Sequence, residues 1–283
     1  MLNKNVQAFI SCEAEYEDAK IVLFGAPFDG TTSFRPGTRF GPQAIRSESF
    51  GLETYSPYQR KDLTDISAFD SGDLEFCFGN PERVLNEIEM RTVQILNDGK
   101  LPFMIGGEHL VTLGTVRAVA EKYPDLHIIH FDAHTDLRDD YLGETLSHAS
   151  VIRRCHDIVG DGRIFQFGIR SGDRSEFEWI EQGHVYTQTF NFDGLAEVVK
   201  HIGDKPVYLT IDLDVLDPSI FPGTGTPEAG GVTFPQLIEA IFKVCGNVNV
   251  VACDVNELSP TYDPSGISTA TACKVVRELL LAL

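Results

Sequence analysis

Three short segments of the chain concentrate histidine and aspartate, and each one directly follows a run of apolar residues. They are Gly106–His109, Asp132–Asp136 and Asp212–Asp214. In the second and third segments the ionisable residues occur at every other position, so extended backbone would put their side chains on one face. Carboxylates held this close repel one another strongly, and a stable fold would need cations between them. The spacing therefore indicates a metal site.

Two imidazoles and four carboxylates are the candidate metal ligands: His109, Asp132, His134, Asp136, Asp212 and Asp214. Four negative charges balance two divalent ions, and two bridging carboxylates would allow six side chains to serve a two-metal centre. Because oxygen ligands dominate and no cysteine is adjacent, the set favours Mn²⁺, with Fe²⁺, Co²⁺ or Zn²⁺ as alternatives. A lone Asp after a strand is usually a cap or a turn residue, but the three segments together predict a dinuclear centre.

Three neighbouring ionisable residues are not expected to be metal ligands. Asp217 precedes Pro218, which is typical of a turn. Glu108 would point away from His109 if that segment is extended. His130 shares the parity of Asp132, and packing within the strand is its simpler interpretation.

Two further residues are candidates for catalysis. Glu257 follows an apolar run, and a carboxylate there could accept two parallel hydrogen bonds from a planar guanidinium group. Its alternative interpretation is a surface residue that caps a turn. His148 lies in the polar segment Leu146–Ser150 and could transfer protons near neutral pH. As a single loop histidine it could equally be structural.

The elements that would position these residues alternate along the chain. Seven apolar runs predict strands: Lys20–Phe24, Leu101–Ile105, Leu126–Phe131, Arg163–Phe167, His184–Tyr186, Val207–Ile211 and Val248–Cys253. Helical patterns cover Pro81–Asp98, Leu110–Lys122, Glu176–Glu181, Leu195–His201, Phe234–Cys245 and Ser268–Leu281. The alternation predicts a parallel sheet with helices on both faces, an α/β/α sandwich in one domain over residues 1–283. In such sheets ligands bind beyond the carboxyl ends of the strands, where the candidate residues stand.

Charge and composition restrict the partners. The 283 residues include 42 Asp and Glu against 23 Lys and Arg, a formal net charge of −19. Such a chain repels nucleic-acid phosphates and anionic membrane surfaces, whereas a cationic small molecule or a divalent metal would be attracted. The segment Met1–Lys20 lacks the apolar core of a signal peptide, and no stretch approaches the about 18 apolar residues of a membrane span. We therefore expect a cytoplasmic protein with neither a nucleic-acid nor a membrane partner.

These motifs resemble those of the ureohydrolases. The matching segments are Ser33–Pro42, Gly106–His109, Asp132–Asp136, Asp212–Pro218 and Pro222–Pro227, which is followed by Gly230 and Gly231. The resemblance implies an eight-stranded parallel sheet and two Mn²⁺ ions per subunit. One ion would be bound by His109, Asp132, Asp136 and Asp212, and the other by Asp132, His134, Asp212 and Asp214. Asp132 and Asp212 would thus bridge the ions.

The resemblance also implies an activity, in which a metal-bound hydroxide attacks a guanidinium carbon and releases urea and an amine. Glu257 would hold the guanidinium, and the leaving amine would take a proton from Asp136 or through His148. Arginases typically carry Asn at the position of Arg138, where it helps to bind the substrate α-carboxylate. Here Asp139 and Asp140 follow Arg138, and their negative charges would disfavour a substrate carboxylate.

This pattern is most similar to the bacterial agmatinases of that family and implies hydrolysis of agmatine to putrescine and urea. Asp173 is a candidate acceptor for the distal ammonium group. Arginine, guanidinobutyrate or another guanidino compound is the alternative substrate. By analogy we expect a homo-oligomer, a trimer or a hexamer.

Two other classes of function fit less well. A metallophosphoesterase also uses paired metals, but it would normally carry a Gly-Asn-His ligand segment, and its anionic substrate would be repelled. A pseudoenzyme that binds a partner would be expected to lack a ligand or a catalytic residue, whereas all eight candidates are present.

Overall fold

The computed structural model describes residues 7–283, whose strands form one eight-stranded sheet and a separate antiparallel pair. The predictions of a domain that begins at residue 1 and of a missing signal peptide fall partly on residues 1–6, outside the described range. Within that range, no helix is both long enough and apolar enough to cross a membrane.

The strands in chain order are β1 (Ile21–Ala26), β2 (Tyr55–Ser56), β3 (Lys61–Asp62), β4 (Ala68–Asp73), β5 (Leu101–Gly106), β6 (His127–Phe131), β7 (Ile164–Ile169), β8 (Tyr186–Thr189), β9 (Pro206–Asp212) and β10 (Asn249–Asn256). The large sheet has the order β4-β1-β5-β10-β9-β6-β7-β8, and every pairing in it is parallel. β2 and β3 form the antiparallel pair.

The helices are α1 (Gly41–Ser49), α2 (Pro81–Asn97), α3 (Thr112–Lys122), α4 (Val151–Val159), α5 (Arg174–Glu181), α6 (Leu195–Ile202), α7 (Phe234–Cys245) and α8 (Ile267–Ala282). One hydrophobic cluster joins one face of the sheet to α1, α6, α7 and α8, and a second joins the other face to α2, α3 and α4. In β5, Phe103 and Ile105 enter the first cluster and Met104 the second. Because both faces are buried, the strands are continuous apolar runs, and the predicted α/β/α sandwich is confirmed.

Five elements escaped the sequence prediction, namely β2, β3, β4, α1 and α4. The first four have short or polar sequences. β4 has the sequence AFDSGD, and α1 has the sequence GPQAIRSES. The two elements depend on each other: Arg46 of α1 is buried and forms ion pairs with Asp70 and Asp73 of β4. α4 does carry an apolar stripe that includes Val151 and Cys155. It was missed because it follows directly on the polar loop that contains His148.

The boundaries of the predicted elements are otherwise close to those observed. Asn80 caps α2 as expected, because its side chain accepts a hydrogen bond of 3.0 Å from the Arg83 amide. The predicted strand His184–Tyr186 is wrong in position, since β8 begins only at Tyr186. A short tight turn occupies the preceding residues, and His184 turns its ring toward Asp161 instead of entering the ladder.

Gly107 holds the loop after β5 against the loop after β1. Its carbonyl accepts from the Glu257 amide at 2.9 Å, and the Glu108 amide donates to Phe28 O at 2.7 Å. A Cβ at Gly107 would lie 2.0 Å from Phe28 O, a backbone atom that cannot move freely. We expect Gly107→Ala to lower the free energy of unfolding by about 3 kcal/mol through this overpacking, as measured by chemical denaturation of the metal-free protein.

Gly51→Ala is the matched control for that prediction, because its Cβ would meet only Glu48 O at 3.3 Å. We expect it to change stability by less than about 0.5 kcal/mol. Equal denaturation midpoints for the two variants would contradict the packing argument.

Candidate metal centre and active site

The four central strands of the sheet deliver the candidate residues to one edge. His109 follows β5, Asp132 follows β6, Asp212 ends β9, and Glu257 follows β10. These strands are neighbours in the order β5-β10-β9-β6, and their ladders pair Phe131 with Ile211 and Asn256 with Asp212. The register therefore brings the strand ends to the same level, so that side chains far apart in sequence lie close together.

His109 forms the centre of a first group of ligand atoms. Its Nδ1 lies 2.9 Å from Asp132 Oδ2, 3.2 Å from Asp136 Oδ2 and 3.4 Å from Asp212 Oδ2. Although these oxygens surround it, the buried Nδ1 has no hydrogen-bond partner within residues 7–283. A nitrogen that faces three carboxylate oxygens without bonding to any of them is what a divalent cation site presents.

His134 forms a second group beside the first. Its Nδ1 is 3.0 Å from Asp214 Oδ2 and 3.4 Å from Asp132 Oδ1. Asp132 thus turns one oxygen toward each histidine, so a carboxylate in this position could bridge two ions. The donors are oxygen and imidazole nitrogen, which fits hard or borderline divalent metals.

The electrostatics of these groups reflect burial and mutual proximity. Burial, with the nearby charges of Asp214 and Asp132, raises the pKa of Asp212 well above its usual value. Burial and Asp132 raise the pKa of Asp136 to about 7. Burial alone would lower the pKa of His109, but the surrounding carboxylates raise it well above normal. The protein thus holds a cluster of acids whose ionisation would be stabilised by bound cations.

Residues behind the ligands fix their orientation. His109 Nε2 is 2.8 Å from Thr210 Oγ1, which leaves Nδ1 to face the carboxylates. His130, predicted to be structural, is buried with its Nε2 2.8 Å from Asp132 Oδ2. On its other side, His130 Nδ1 is 3.0 Å from Gln166 Nε2. Thr210 could not be identified from sequence, because one polar residue in an apolar strand has many explanations.

Glu257 lies at the base of the cavity beside the first ligand group. It is buried, adopts a φ of +68°, and accepts a hydrogen bond of 2.7 Å from the His109 amide through Oε1. Burial raises the pKa of Glu257 well above its usual value. The interpretation of Glu257 as an exposed turn cap is therefore wrong, and the residue is a buried carboxylate anchored to the backbone of a candidate ligand.

His148 lies across the cavity mouth, in a single 3-10 turn that precedes α4. Its Nε2 is 2.9 Å from Ser33 Oγ, and its amide donates to Thr31 Oγ1 at 3.1 Å. Thr31 in turn bonds Glu108, which points away from the ligand group as predicted. Burial, with the positive charges of His134 and His109, lowers the pKa of His148 to about 4. Both causes disfavour the protonated form of this imidazole.

The cavity above these residues has a volume of about 200 Å³ and is lined by His109, Asp136, Asp212, Glu257, His148, Ser33, Arg138, Tyr141 and Ser171 among others. Arg138 Nη1 is 3.7 Å from Asp173 Oδ2, and its guanidinium lies 4.9 Å from the Tyr141 ring centroid. Asp173 also caps α5 by accepting from the Ser175 amide at 3.0 Å. Asp173 is thus engaged by both a helix terminus and an arginine.

The two acidic residues after Arg138 turn away from the cavity. Asp139 pairs with Arg154 of α4 at 3.0 Å, and Asp140 accepts from the Gly143 amide in an exposed turn. Neither lines the cavity. Asp217, outside the ligand groups, accepts from the amides of Ser219, Gly230 and Gly231, as a turn residue would.

Comparison with known proteins agrees with this fold. A model of the arginase family matches residues 19–282. The chain therefore belongs to the arginase family. It is 48% identical over 277 residues to an agmatinase of Bacillus subtilis, covering 97% of this chain and 96% of that one.

A more distant relative is named for a different guanidino substrate. The chain is 34% identical over 291 residues to a guanidinobutyrase of Pseudomonas aeruginosa, covering 97% of this chain and 89% of that one. Among solved structures, the agmatine ureohydrolase of Thermoplasma volcanium superposes with a TM-score of 0.90 at 34% identity. That match covers 99% of this chain and 94% of the other.

Proposed function

We propose that this protein is a metal-dependent hydrolase that converts agmatine and water into putrescine and urea. The observation that carries the proposal is Glu257, a buried carboxylate at the base of a cavity, next to a cluster of metal-ligating side chains. A buried carboxylate of this kind is suited to a planar guanidinium cation. The similarity to the Bacillus subtilis agmatinase supports the same substrate.

The six candidate ligands fit two divalent ions, for which we propose Mn²⁺, and the chemistry these supply when bound is a hydroxide nucleophile near neutral pH. His109 and His134 each offer Nδ1, and Asp132 offers one oxygen to each of them. Asp136, Asp212 and Asp214 complete the set. Thr210 keeps His109 in the required orientation.

The residues of the chain hold the substrate and move the proton. Glu257 orients the guanidinium group so that its carbon is presented to the nucleophile. Water oxygen becomes the urea oxygen, the bond from the guanidinium carbon to the alkyl nitrogen breaks, and that nitrogen takes a proton. Asp136 delivers this proton directly, or His148 relays it from the side of Ser33.

Glu228 is the residue that we propose for the distal ammonium group of agmatine. Its Oε1 accepts from Ser171 Oγ at 2.9 Å and lies 3.9 Å from His134 Nε2, and both of these neighbours line the cavity. Its backbone carbonyl is held by Arg170 at 2.9 Å. Among residues 7–283, no Lys or Arg pairs with the Glu228 carboxylate, whose side chain is 41% exposed. It is therefore free to pair with a cation that extends out of the cavity.

Guanidinobutyrate is the second candidate substrate, and Arg138 is the observation that favours it. A carboxylate at the far end of the substrate could pair with this guanidinium, which lines the cavity. Against this, Arg138 lies 3.7 Å from Asp173 and 3.9 Å from Glu176, so its charge is already partly balanced.

Urea release across a panel of agmatine, arginine and guanidinobutyrate, with Mn²⁺ present, tests the proposal. We expect kcat/KM for agmatine to exceed that for either alternative by more than about tenfold, which corresponds to about 1.4 kcal/mol of transition-state discrimination. Equal values, or a preference for either carboxylate-bearing substrate, would refute agmatine as the substrate.

Replacement of Glu228 with Gln should shift the preference between these substrates. We expect KM for agmatine to rise about fivefold, since a partly exposed charge pair contributes about 1 kcal/mol. KM for guanidinobutyrate should fall, because the like charge at the rim is removed. Glu178→Gln, an exposed glutamate of α5, is the control. A parallel loss of kcat for both substrates would indicate instead that Glu228 acts on His134.

We propose further that the whole chain is one catalytic domain and that it assembles as a trimer or a hexamer. The expectation of an oligomer rests on analogy with the family. Sedimentation of the metal-loaded protein would measure the assembly.

A further inference from the structure

A second cluster of metal-ligating side chains lies at the opposite edge of the sheet from the cavity. His156 is in the last turn of α4, Asp161 is in the turn between α4 and β7, and His184 is in the turn before β8. His156 Nε2 lies 2.8 Å and His184 Nδ1 lies 2.7 Å from the same atom, Asp161 Oδ1. The proposed hydrolysis has no use for this cluster.

The local structure aims all three side chains at one point. Gly160 and Gly162 have φ values of +83° and +73°, so the turn folds Asp161 back over the end of α4. The two rings are held by Trp179 of α5. His184 stacks on it with ring centroids 4.5 Å apart, and His156 packs edge-on at 4.7 Å. The rings are therefore positioned by packing and not only by the carboxylate.

The three side chains are ligands that a borderline transition metal prefers. Two neutral imidazoles and a carboxylate are a common three-ligand set for Zn²⁺, with solvent at the remaining positions. Ligand atoms around a tetrahedral Zn²⁺ stand about 3.3 Å apart, given bonds of about 2.0 Å. The present spacing is shorter, but the Asp161 side chain is 66% exposed and can withdraw by the required few tenths of an ångström.

Nearby charges are compatible with a cation. Arg153 lies over the Trp179 ring at 4.2 Å, and Arg154 is neutralised by Asp157 at 3.1 Å and Asp139 at 3.0 Å. Arg153 therefore interacts with the aromatic face rather than with Asp161. Mg²⁺ or Ca²⁺ would be poorly served, because two of the three donors are imidazole nitrogens.

We propose that His156, Asp161 and His184 bind one divalent transition-metal ion of the Zn²⁺ class. The ion fastens the end of α4 and the turn before the edge strand β8 to the start of β7. β8 has a single neighbouring strand in the sheet. A metal ion that links this edge to α4 would therefore stabilise it against local unfolding. The site has no part in turnover of the substrate, because it lies at the opposite edge of the sheet from the cavity.

Zn²⁺ uptake by the full-length, Mn²⁺-loaded protein tests this. Equilibrium dialysis followed by elemental analysis would compare wild type with His184→Gln and with Asp161→Asn, the milder change in case the first variant fails to fold. His201→Gln, an exposed histidine of α6, is the control. Zn²⁺ can exchange into the catalytic centre equally in all four proteins. Differences in Zn²⁺ uptake between them therefore measure binding at the second site.

We expect wild type and His201→Gln to take up about one more equivalent of Zn²⁺ than either site variant. Zn²⁺ should raise Tm by several degrees more in wild type than in the variants, while urea release at saturating Mn²⁺ stays unchanged. Equal uptake in all four proteins would overturn the proposal. So would a Tm that falls in the variants by the same amount with and without Zn²⁺, because that result defines a hydrogen-bonded cluster.

Discussion

Asp132→Asn is expected to remove metal binding and urea release together. Asn keeps the shape of the side chain and can still accept the His134 amide, which donates to Asp132 Oδ1 at 2.6 Å. It cannot supply the negative charge that faces both His109 and His134. Because bound metals contribute several kcal/mol to such reactions, we expect kcat/KM for agmatine to fall by about 10³-fold or more.

The measurement pairs the Mn²⁺ content of the purified variant with its rate of urea release. Circular dichroism of the metal-free forms would verify that the variant is folded, and the rise in Tm on adding Mn²⁺ should largely disappear. Asp204→Asn, an exposed aspartate remote from the cavity, should match wild type in all three respects. Urea release by a variant that holds no metal would refute the dinuclear mechanism.

Glu257→Gln should separate substrate binding from metal binding. The amide can still accept the hydrogen bond from the His109 backbone, so the ligand group keeps its support. The charge that pairs with the guanidinium is lost, and removal of one partner of a buried charge pair costs about 3 kcal/mol. We therefore expect kcat/KM to fall about 10²-fold, with Mn²⁺ content unchanged.

The expected Mn²⁺ content thus differs between the two variants: it is lost in Asp132→Asn and kept in Glu257→Gln. A general loss of folding would instead lower it in both. Glu239→Gln, an exposed glutamate of α7, serves as the control for the second. If Glu257→Gln lost Mn²⁺ to the same degree as Asp132→Asn, the role of Glu257 would be to hold the metal centre and not the substrate.

Much of the candidate site could be predicted because the residues lie directly after apolar strands. His109, Asp132 and Asp212 are recognisable from local spacing, and parallel strand ends meet at one edge of the sheet. To predict that they lie close together, the alternation of strands and helices was sufficient, and the strand order was not needed. The order itself, with β5, β10, β9 and β6 adjacent, has no local signal, since it depends on contacts between segments far apart in sequence.

What the sequence could not reveal are interactions whose meaning comes from a distant partner. Arg46 and Asp70 stabilise a polar helix and a polar strand against each other, and neither element has a pattern of its own. Asp139 and Asp140 follow Arg138 in the chain, yet they face away from the cavity. Glu228 lies in a Gly- and Pro-rich loop and comes close to the cavity because the fold brings Ser171 beside it.

The hydrogen bond between Glu257 and the His109 amide has a consequence for how such an enzyme can change its substrate. The residue proposed to accept the guanidinium and a proposed ligand of the metal centre are joined by this hydrogen bond, so a shift of one is expected to disturb the other. Adaptation to a longer, shorter or oppositely charged tail therefore falls to the rim, where Glu228 and Arg138 stand on connecting loops. Directed evolution toward other guanidino compounds should accumulate changes at those loops and leave the strand ends intact.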